Sequence, residues 1–297
     1  MDLSRRIESS LENALSDVDA VGRDPAPPRL AQAMHYAVFP GGHRIRPRLC
    51  LSVALACGDS EPALADAAAA AIELLHCASL VHDDLPMFDD ADLRRGRPSV
   101  HRAFGEPLAL LVGDGLIIQA FEAIGRVAHL NCERTGPLLR AVSRAVGSPS
   151  GIVAGQAWEC ETEVDLAAYH RAKTGALFAG AALAGAIAAG VTDRGAALAS
   201  WYRLGARLGE AYQVADDLLD AGGDADVLGK PVGQDVSLDR PSAVRELGIA
   251  GAQERLAMLI REALESIPAC AHRDHLWTAL SAETSRLAGA AREHCAA

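Results

Sequence analysis

The stretch AAAAIELLHCASLVHDD, residues 68–84, is a long apolar run that ends in two aspartates. Its apolar residues recur at the spacing of an α-helix, so we predict a helix over residues 61–82. Alanine is the best helix former, and its small side chain lets neighbouring helices approach closely. The stretch therefore predicts a buried helix that carries carboxylates at its carboxyl end.

The rest of the chain has the same helical periodicity and predicts an all-α protein. Turn-forming segments such as PGGHRIRP (40–47), RRGRPS (94–99) and GSPSG (147–151) separate the periodic runs. We find no convincing strand-type alternation and no linker typical of a domain boundary, so we expect one domain, residues 1–297, of about ten or more helices. Further helices are predicted over residues 3–19, 28–37, 45–57, 105–127, 136–147, 165–190, 193–221, 241–265 and 272–292.

Composition excludes several classes of protein. The net charge of −11 argues against nucleic-acid binding, which favours basic surfaces. Seven cysteines without CxxC or Cys/His spacing indicate a reduced compartment rather than a disulfide framework or a zinc site. The first 17 residues lack the apolar core of a signal peptide. The run at residues 175–191 is too short and too weakly apolar for a membrane span, so we predict a buried helix and a cytoplasmic protein with no transmembrane segment.

Two clusters of aspartates each close a long apolar run. The first is DDLPMFD (83–89) and the second is DDLLD (216–220), in which the first and last aspartates lie four residues apart and share a helical face. An isolated pair of aspartates usually marks a solvated helix end. Two clusters of oxygen ligands, each with few carboxylates and room for water and phosphate, favour Mg²⁺ over a dedicated Ca²⁺ cage.

Basic residues accompany both clusters. Arginine binds phosphate in a bidentate manner, and lysine binds it as a point charge. Each cation alone would be read as a solvated charge, but together with two Mg²⁺ platforms they predict a site for two diphosphates, one bound by metal and one directly by arginine. The residues are Arg94, Arg95 and Arg97 after the first cluster, Lys230 after the second, Lys173 with Thr174 in AKTGAL, and Arg44, Arg46 and Arg48 in GGHRIRPR.

In this order the motifs resemble those of the trans-polyprenyl diphosphate synthase family. DDLPMFD and DDLLD resemble its two aspartate-rich motifs, over a likeness that covers nearly the whole chain. The sequences of the segments FPGGHRIRP and ELLHCASLVHDDLP are similar to those of the geranylgeranyl diphosphate synthases of photosynthetic purple bacteria. The remaining family signatures are GGHRIRP (41–47), GDGL (113–116), GQAWE (155–159), KTG (173–175) and GKPVGQD (229–235).

The resemblance implies a fold and an activity. The fold would be of the isoprenoid synthase type, with helices around a central active-site cavity, and the protein would be a homodimer. The activity would be Mg²⁺-dependent, with three ions per site, and would condense isopentenyl diphosphate head-to-tail in trans with an allylic diphosphate. The product would be geranylgeranyl diphosphate (C20), a precursor for carotenoids and for the bacteriochlorophyll tail.

The resemblance also implies a role for each residue that matches a family motif. Thr174 and Gln213 would face the developing allylic cation. Magnesium ions would be bound by Asp83, Asp84, Asp89, Asp216 and Asp220, with Asp217 as a weaker candidate. The allylic diphosphate would be held by Arg94, Lys173 and Lys230, and isopentenyl diphosphate by Arg46, His76 and Arg95.

Three positions depart from the family pattern. His43 stands where a lysine usually binds isopentenyl diphosphate, and histidine carries full charge only at lower pH. We therefore hypothesise that residue 43 binds isopentenyl diphosphate more weakly than a lysine would and in a pH-dependent manner, and that Arg46 compensates for the weaker binding. Glu159 replaces the usual aspartate of GQxxD. Arg240 with Ser242 stands where a Lys-x-Thr is common, and the resemblance implies that Arg240 contacts a diphosphate.

Product length depends on the side chains below the first aspartate cluster. Ala78 lies five residues before Asp83, roughly 7.5 Å lower on a helix that rises ~1.5 Å per residue, and Ser79 is next to it. Bacterial farnesyl (C15) synthases tend to carry an aromatic residue at the position of Ala78. A small residue here predicts a tunnel that extends past C15, with a C20 product and C15 as the alternative.

Other classes of protein remain as alternatives. A non-catalytic subunit of a heteromeric synthase typically loses aspartates from one or both motifs, and here both are intact. A terpene cyclase has a different second metal motif and lacks the GGxRxRP and KTG elements. A calcium-binding scaffold would need repeated loops with ligands at alternating positions, which the sequence does not contain.

Overall fold

Helices account for nearly all regular structure in the computed structural model, which describes residues 2–16, 27–39, 41–163, 166–191, 195–222 and 242–295. This architecture confirms the predicted fold class. A 3₁₀ turn occurs at Ala128–Leu130 and another at Trp158–Cys160. The α-helices are α1 (Leu3–Leu15), α2 (Pro28–Val38), α3 (Ile45–Ala56), α4 (Pro62–Asp83), α5 (Val100–Phe104), α6 (Glu106–Arg126), α7 (Cys132–Val146), α8 (Ile152–Ala157), α9 (Leu166–His170), α10 (Ala176–Ala188), α11 (Ala196–Gly222), α12 (Ala243–Glu265) and α13 (Arg273–Cys295).

Helix α4 lies at the centre of the core. It packs against α1, α3, α6 and α10, and its leucines and alanines are almost all buried. Fully burying one leucine side chain contributes about 1.5–3 kcal/mol, so Leu64, Leu74 and Leu75 stabilise this arrangement. The helix thereby fixes the position of the aspartates at its carboxyl end.

Helix α10 is a second buried helix, which agrees with the expectation for residues 175–191. A Cβ atom added to Gly185 would lie 2.1 Å from the carbonyl oxygen of Cys50, so the backbones of α3 and α10 are nearly in contact. Two other helical stretches are long and apolar enough to cross a membrane by length and composition alone. They are α4 and the stretch Glu106–Leu130, which is α6 together with the 3₁₀ turn that follows it. Within the most apolar window of each, 78% and 39% of the residues are buried inside the protein.

A short antiparallel hairpin corrects the expectation that strands are absent. Strands β1 (Leu93–Arg94) and β2 (Arg97–Pro98) pair around a turn in which Arg95 and Gly96 have φ of 55° and 72°. Strands of two residues are too short to show an alternating pattern, which is why the sequence indicated only a turn here. The hairpin holds three arginines close behind the first aspartate cluster.

Several helices differ from the predicted ones: α1 ends at Leu15 rather than at residue 19, and α5 and α8 were not predicted. Two further differences have a visible cause. The run predicted over 165–190 is divided by a π-helical segment, Arg171–Gly175, between α9 and α10. The helix predicted from residue 136 begins at Cys132, where the side chain of Asn131 caps it by accepting from the amide of Arg134 at 3.2 Å. Periodicity alone missed this first turn because Pro137, which normally disfavours a helix interior, lies inside α7.

Candidate active site

The first aspartate cluster folds back on the end of α4. The amide of Asp89 donates to the carbonyl oxygen of Asp83 at 2.9 Å, and the amide of Ala91 donates to that of Asp84 at 3.2 Å. These bonds bring Asp89 back beside the last turn of α4. Burial raises the pKa of Asp83; Lys173 opposes this shift and the charge of Asp89 adds to it. The negative charge of Asp89 thus acts directly on Asp83, an interaction that a bound cation would relieve.

Asp84 has a different environment from Asp83. It is 2% exposed, and both of its carboxylate oxygens accept from the guanidinium group of Arg94 on β1. Burial raises the pKa of Asp84, and the hydrogen bonds from Arg94 oppose that shift. In this structure Asp84 therefore fixes Arg94 beside the cluster.

Lys173 connects the first cluster to the segment GQAWE. Its ammonium group is paired with the carboxylate of Glu159 and lies 3.8 Å from Oδ1 of Asp83. Glu159 also accepts from the hydroxyl of Tyr169 at 2.7 Å and from the side-chain amide of Gln156 at 2.9 Å. The glutamate at this position thus orients Lys173 toward the aspartates.

The residue after Lys173 connects to the second cluster. The hydroxyl of Thr174 donates to Oε1 of Gln213 at 2.7 Å, and Nε2 of Gln213 donates to Asp217 at 2.9 Å. Asp217 is buried and also accepts from the amide of Ala243 at 2.7 Å, so it anchors the start of α12. Asp216, by contrast, is exposed. The π-helical segment therefore presents Lys173 to one cluster and Thr174 to the other.

Arg46 and His76 form the centre of a basic region. Nη1 of Arg46 lies 3.2 Å from Nε2 of His76, and the guanidinium carbon lies 4.6 Å from the centre of the Phe178 ring. Burial lowers the pKa of His76, and the charges of Arg46 and Arg95 lower it further, so its imidazole is neutral at neutral pH. A neutral imidazole beside two guanidinium groups suits an anionic ligand.

Arg95 reaches this region from the hairpin. A Cβ atom added to Gly42 would lie 2.9 Å from the guanidinium carbon of Arg95, so the loop before α3 and the turn of the hairpin meet here. Glycine permits this close approach because it has no side chain. His43, the next residue along the loop, is exposed.

Two arginines of GGHRIRPR lie away from this basic region, which corrects their grouping with the phosphate-binding residues. Arg44 is buried and forms ion pairs with Glu8 at 2.9 Å and Glu73 at 2.8 Å. It ties α1 and α4 to the loop before α3. Arg48 donates instead to the hydroxyl of Ser4 at 3.0 Å. The ion pairs of Arg44 connect residues 36 and 29 positions apart, which a local motif does not reveal.

The remaining predicted residues are placed as follows. Ala78 is 1% exposed, and Ser79 donates to the carbonyl oxygen of His76 at 2.8 Å, so both lie on α4 below the aspartates. Lys230 and Arg240 lie outside the described residues. Phe178, under the guanidinium of Arg46, was not predicted. Its position five residues after Lys173, in KTGALF, was the only signal in the sequence.

The acidic residues of the site offer oxygen ligands for a metal ion. Among the residues that the structure describes, no three Asp, Glu, His or Cys side chains lie close enough together to hold one by themselves. Oδ1 of Asp83 is buried and accepts no hydrogen bond within the described ranges. Such an oxygen, in a purely carboxylate donor set, fits a hard cation that takes its other ligands from water or phosphate.

Comparison with known proteins relates these features to a family. The family model described as polyprenyl synthetase matches residues 27–275. The geranylgeranyl diphosphate synthase of Rhodobacter capsulatus is 54% identical over 270 residues, 91% of each chain. The enzyme of that name from Cereibacter sphaeroides is 55% identical over 264 residues, 89% of this chain and 90% of the relative. The farnesyl diphosphate synthase of Geobacillus stearothermophilus is 40% identical over 272 residues, 86% and 87%.

Solved structures agree with these relatives. The crystal structure of geranyltransferase from Helicobacter pylori, complexed with magnesium and isoprenyl diphosphate, superimposes with a TM-score of 0.80. The two chains are 28% identical, and the alignment covers 96% of each. The described helices therefore follow the same all-α arrangement as that protein.

Proposed function

The chain belongs to the polyprenyl synthetase family, and from this premise we propose that it condenses isopentenyl diphosphate with an allylic diphosphate, head-to-tail and in trans, to give geranylgeranyl diphosphate. The observation that carries the proposal is the position of the π-helical segment. Lys173 lies against Asp83 of the first cluster, and Thr174 contacts Gln213 beside the second. A diphosphate bound between the clusters would therefore meet carboxylate-bound cations and a lysine together.

Mg²⁺ is the cofactor that fits these oxygen ligands. Asp84 would have to share its carboxylate between the metal and Arg94, whereas Asp217, which anchors α12, would be at most a weak ligand. Bound Mg²⁺ would neutralise the negative charge that develops on the departing diphosphate. The proposed ligands are Asp83, Asp84, Asp89, Asp216 and Asp220, for three ions by family resemblance.

Ionisation of the allylic substrate is the first chemical step in this scheme. The allylic C–O bond breaks heterolytically, and the electron pair leaves with the diphosphate. That leaving group would be stabilised electrostatically by Lys173 and Arg94, at the place where its charge develops. The family resemblance assigns the same role to Lys230. The hydroxyl of Thr174 and the side-chain amide of Gln213 would face the allylic cation.

Carbon–carbon bond formation follows at the basic region. Arg46 and Arg95, with His43 and neutral His76, would hold the diphosphate of isopentenyl diphosphate. The C3–C4 double bond attacks the cation, and a C2 proton is then lost. The departing diphosphate is the proposed base for that proton, as the resemblance to the family implies. The diphosphate contact of Arg240 belongs to the same proposal.

Product length is proposed to be C20 because Ala78 leaves space below the first cluster. Ala78 is buried within α4, where the growing chain would descend between apolar helices. A farnesyl (C15) product is the alternative. The identities of 54% and 55% to geranylgeranyl diphosphate synthases, against 40% to a farnesyl diphosphate synthase, support the longer product.

The proposed assembly is a cytoplasmic homodimer of single-domain subunits. One core cluster includes buried residues from α1 through to α13, which supports a single domain. Helix α6 exposes Leu110, Leu111 and Ile118, at 46%, 51% and 68%, along one side. An apolar face of this kind on a long helix supports burial against a second copy of the chain.

A product assay tests the proposed function. The purified protein would be incubated with Mg²⁺, isopentenyl diphosphate and, separately, the C5, C10 and C15 allylic diphosphates, and chain length would be read by mass spectrometry. We expect a dominant C20 product that disappears when EDTA is added. A C15 stop would retain the enzyme class and reject the C20 assignment. Absence of any Mg²⁺-dependent product would support the non-catalytic subunit instead.

A further inference from the structure

We propose that Glu283, on the last helix of the chain, is a positioning residue for Arg46 and acts on it through Tyr212 and Phe178. The inference rests on the proposed function, in which Arg46 binds isopentenyl diphosphate. Glu283 lies 237 positions from Arg46 in the sequence, on α13, and no motif marks it. Three successive contacts connect the two residues.

The first contact is the aromatic platform under Arg46. The guanidinium carbon lies 4.6 Å from the centre of the Phe178 ring, within the range of a cation–π interaction. Nε of Arg46 is buried and has no hydrogen-bond partner within the described ranges. The ring of Phe178 and the imidazole of His76 are therefore the described contacts that set the orientation of the guanidinium group.

The second contact fixes the platform itself. Phe178 is 2% exposed and stacks on Tyr212, with ring centroids 5.1 Å apart and an interplanar angle of 25°. A Cβ atom added to Gly205 of α11 would lie 2.4 Å from the carbonyl oxygen of Phe178. Because the two rings stack and the backbone of α10 packs this tightly on α11, a change in the orientation of Tyr212 would be transmitted to Phe178.

The third contact fixes the orientation of Tyr212. Its hydroxyl donates to Oε1 of Glu283 at 3.0 Å. Burial raises the pKa of Tyr212, and the carboxylate of Glu283 raises it further, so the phenol keeps its proton and remains a donor. Without an acceptor at residue 283, this half-buried hydroxyl would lose its partner and the ring would be free to turn.

The orientation of Arg46 depends on the ring of Phe178 because Arg46 lacks the two carboxylate contacts that hold Arg44. Arg44, two residues earlier, is held by two carboxylates, whereas Arg46 is held by a ring face and an imidazole. An aromatic face, unlike a carboxylate, does not neutralise the guanidinium charge, so the charge of Arg46 stays available to the substrate. The orientation of the platform then determines how well the guanidinium group meets that substrate.

Steady-state kinetics of Glu283→Ala test the proposal. We expect the KM for isopentenyl diphosphate to rise about three- to tenfold, the effect of one lost hydrogen bond. The kcat and the KM for farnesyl diphosphate should stay within about twofold. Glu283→Gln keeps an acceptor oxygen and should restore the KM. Tyr212→Phe should reproduce the rise, and the double variant should be no worse than either single variant because both break the same link.

A matched control separates positioning from general stability. Glu262→Gln removes another interhelical carboxylate contact, the 2.8 Å pair with Arg207, and should leave the KM for isopentenyl diphosphate unchanged. A Glu283→Ala protein with a lower Tm but an unchanged KM would overturn the proposal, as would an equal loss in kcat and in both KM values. A wild-type protein without product would overturn the proposed function alone. Calorimetry with inorganic diphosphate would then decide the inference: equal affinity of wild type and Glu283→Ala would refute it, and weaker binding to the variant would support it.

Discussion

At the scale of single residues, the two aspartates that follow one another in each motif have different tasks. Asp84 and Asp217 are buried and fully engaged, one with Arg94 and one with Gln213 and the start of α12. Asp83 instead has a buried oxygen without a hydrogen bond among the described residues. The first aspartate of the first motif is therefore the better placed of its pair to meet a cation.

Replacing Asp83 by asparagine should lower kcat by about two to four orders of magnitude, because the charge that binds Mg²⁺ and so stabilises the leaving diphosphate is lost. Product formation at saturating Mg²⁺ measures this effect. Asp274→Asn, at a side chain that is fully exposed at the start of α13, serves as the control and should retain full activity. Equal activity of the Asp83→Asn and wild-type proteins would contradict the metal assignment.

His43 should make the binding of isopentenyl diphosphate depend on pH. A histidine is cationic below its pKa and neutral above it, so the KM for this substrate should rise between pH 6 and pH 8. His76 does not contribute to that change, because its lowered pKa keeps it neutral throughout this range. His43→Lys stays cationic, so the difference between its profile and that of the wild type isolates residue 43 from titration of the substrate. Parallel profiles of the two proteins would refute the hypothesis.

At the scale of elements, α4 and the segment before α10 position the side chains of the candidate active site. Helix α4 is buried along its length and ends at Asp83, and the π-helical turn before α10 directs Lys173 and Thr174 to different clusters. A π-helical segment adds one residue to a turn, which reorients the side chains within it. Small side chains let both helices pack deeply into the core.

Ala78→Tyr should shorten the product from C20 to C15. The tyrosine would project from α4 below the aspartates and fill the path that the small side chain of the buried Ala78 leaves for the growing chain. Mass spectrometry of the products, with the C10 diphosphate as starter, measures the change. Ser79→Ala, at the next residue, should leave the product at C20. An unchanged C20 product from Ala78→Tyr would show that the tunnel floor lies elsewhere.

Gly185→Ala should destabilise the protein by about 1–3 kcal/mol, the usual cost of forcing extra volume into a packed core. The new methyl group would lie 2.1 Å from the carbonyl oxygen of Cys50, so α3 and α10 would have to separate. Gly289→Ala on α13 is the matched control, because a Cβ there has no neighbour within 4 Å. The control should be neutral or slightly stabilising in denaturant unfolding. Equal stability of the two variants would contradict the close packing of α10.

At the scale of the whole molecule, one long helix, α6, leaves several large apolar side chains exposed on either side of Asp114. Helix α6 packs on α4 through one side and exposes Leu110, Leu111 and Ile118 on another. Exposed apolar side chains along one helix mark a surface that a second copy could bury. A homodimer through α6 would place that contact directly behind the helix that carries the first aspartate cluster.

If the protein is the proposed homodimer through α6, Ile118→Asp should convert it to a monomer, because an isologous interface would bury two copies of the new charge. Sedimentation equilibrium of the wild type and the variant measures the change. Leu130→Asp, at another exposed leucine beyond the end of α6, is the control and should leave the dimer intact. A monomeric wild type would refute the homodimer, and a dimeric Ile118→Asp protein would place its interface elsewhere.

The sequence by itself determined the helices, both aspartate clusters and the order of the basic motifs. Helical periodicity and the spacing within DDLPMFD and DDLLD are local properties, so they can be read from neighbouring residues. The family resemblance that followed from them was confirmed. Boundaries were less secure where a proline or a π-helical turn interrupted the pattern, as at Pro137 and Arg171–Gly175.

Only the tertiary structure decided which charges pair and which remain available. Arg44 and Arg46 are two residues apart in one motif, yet one is held by Glu8 and Glu73 and the other lies on the ring of Phe178. The link from Phe178 through Tyr212 to Glu283 is likewise invisible in the sequence. The physical reason is that ion pairing and ring stacking act over a few ångströms. Packing of helices that are distant in sequence brings these partners together, and no local pattern records it.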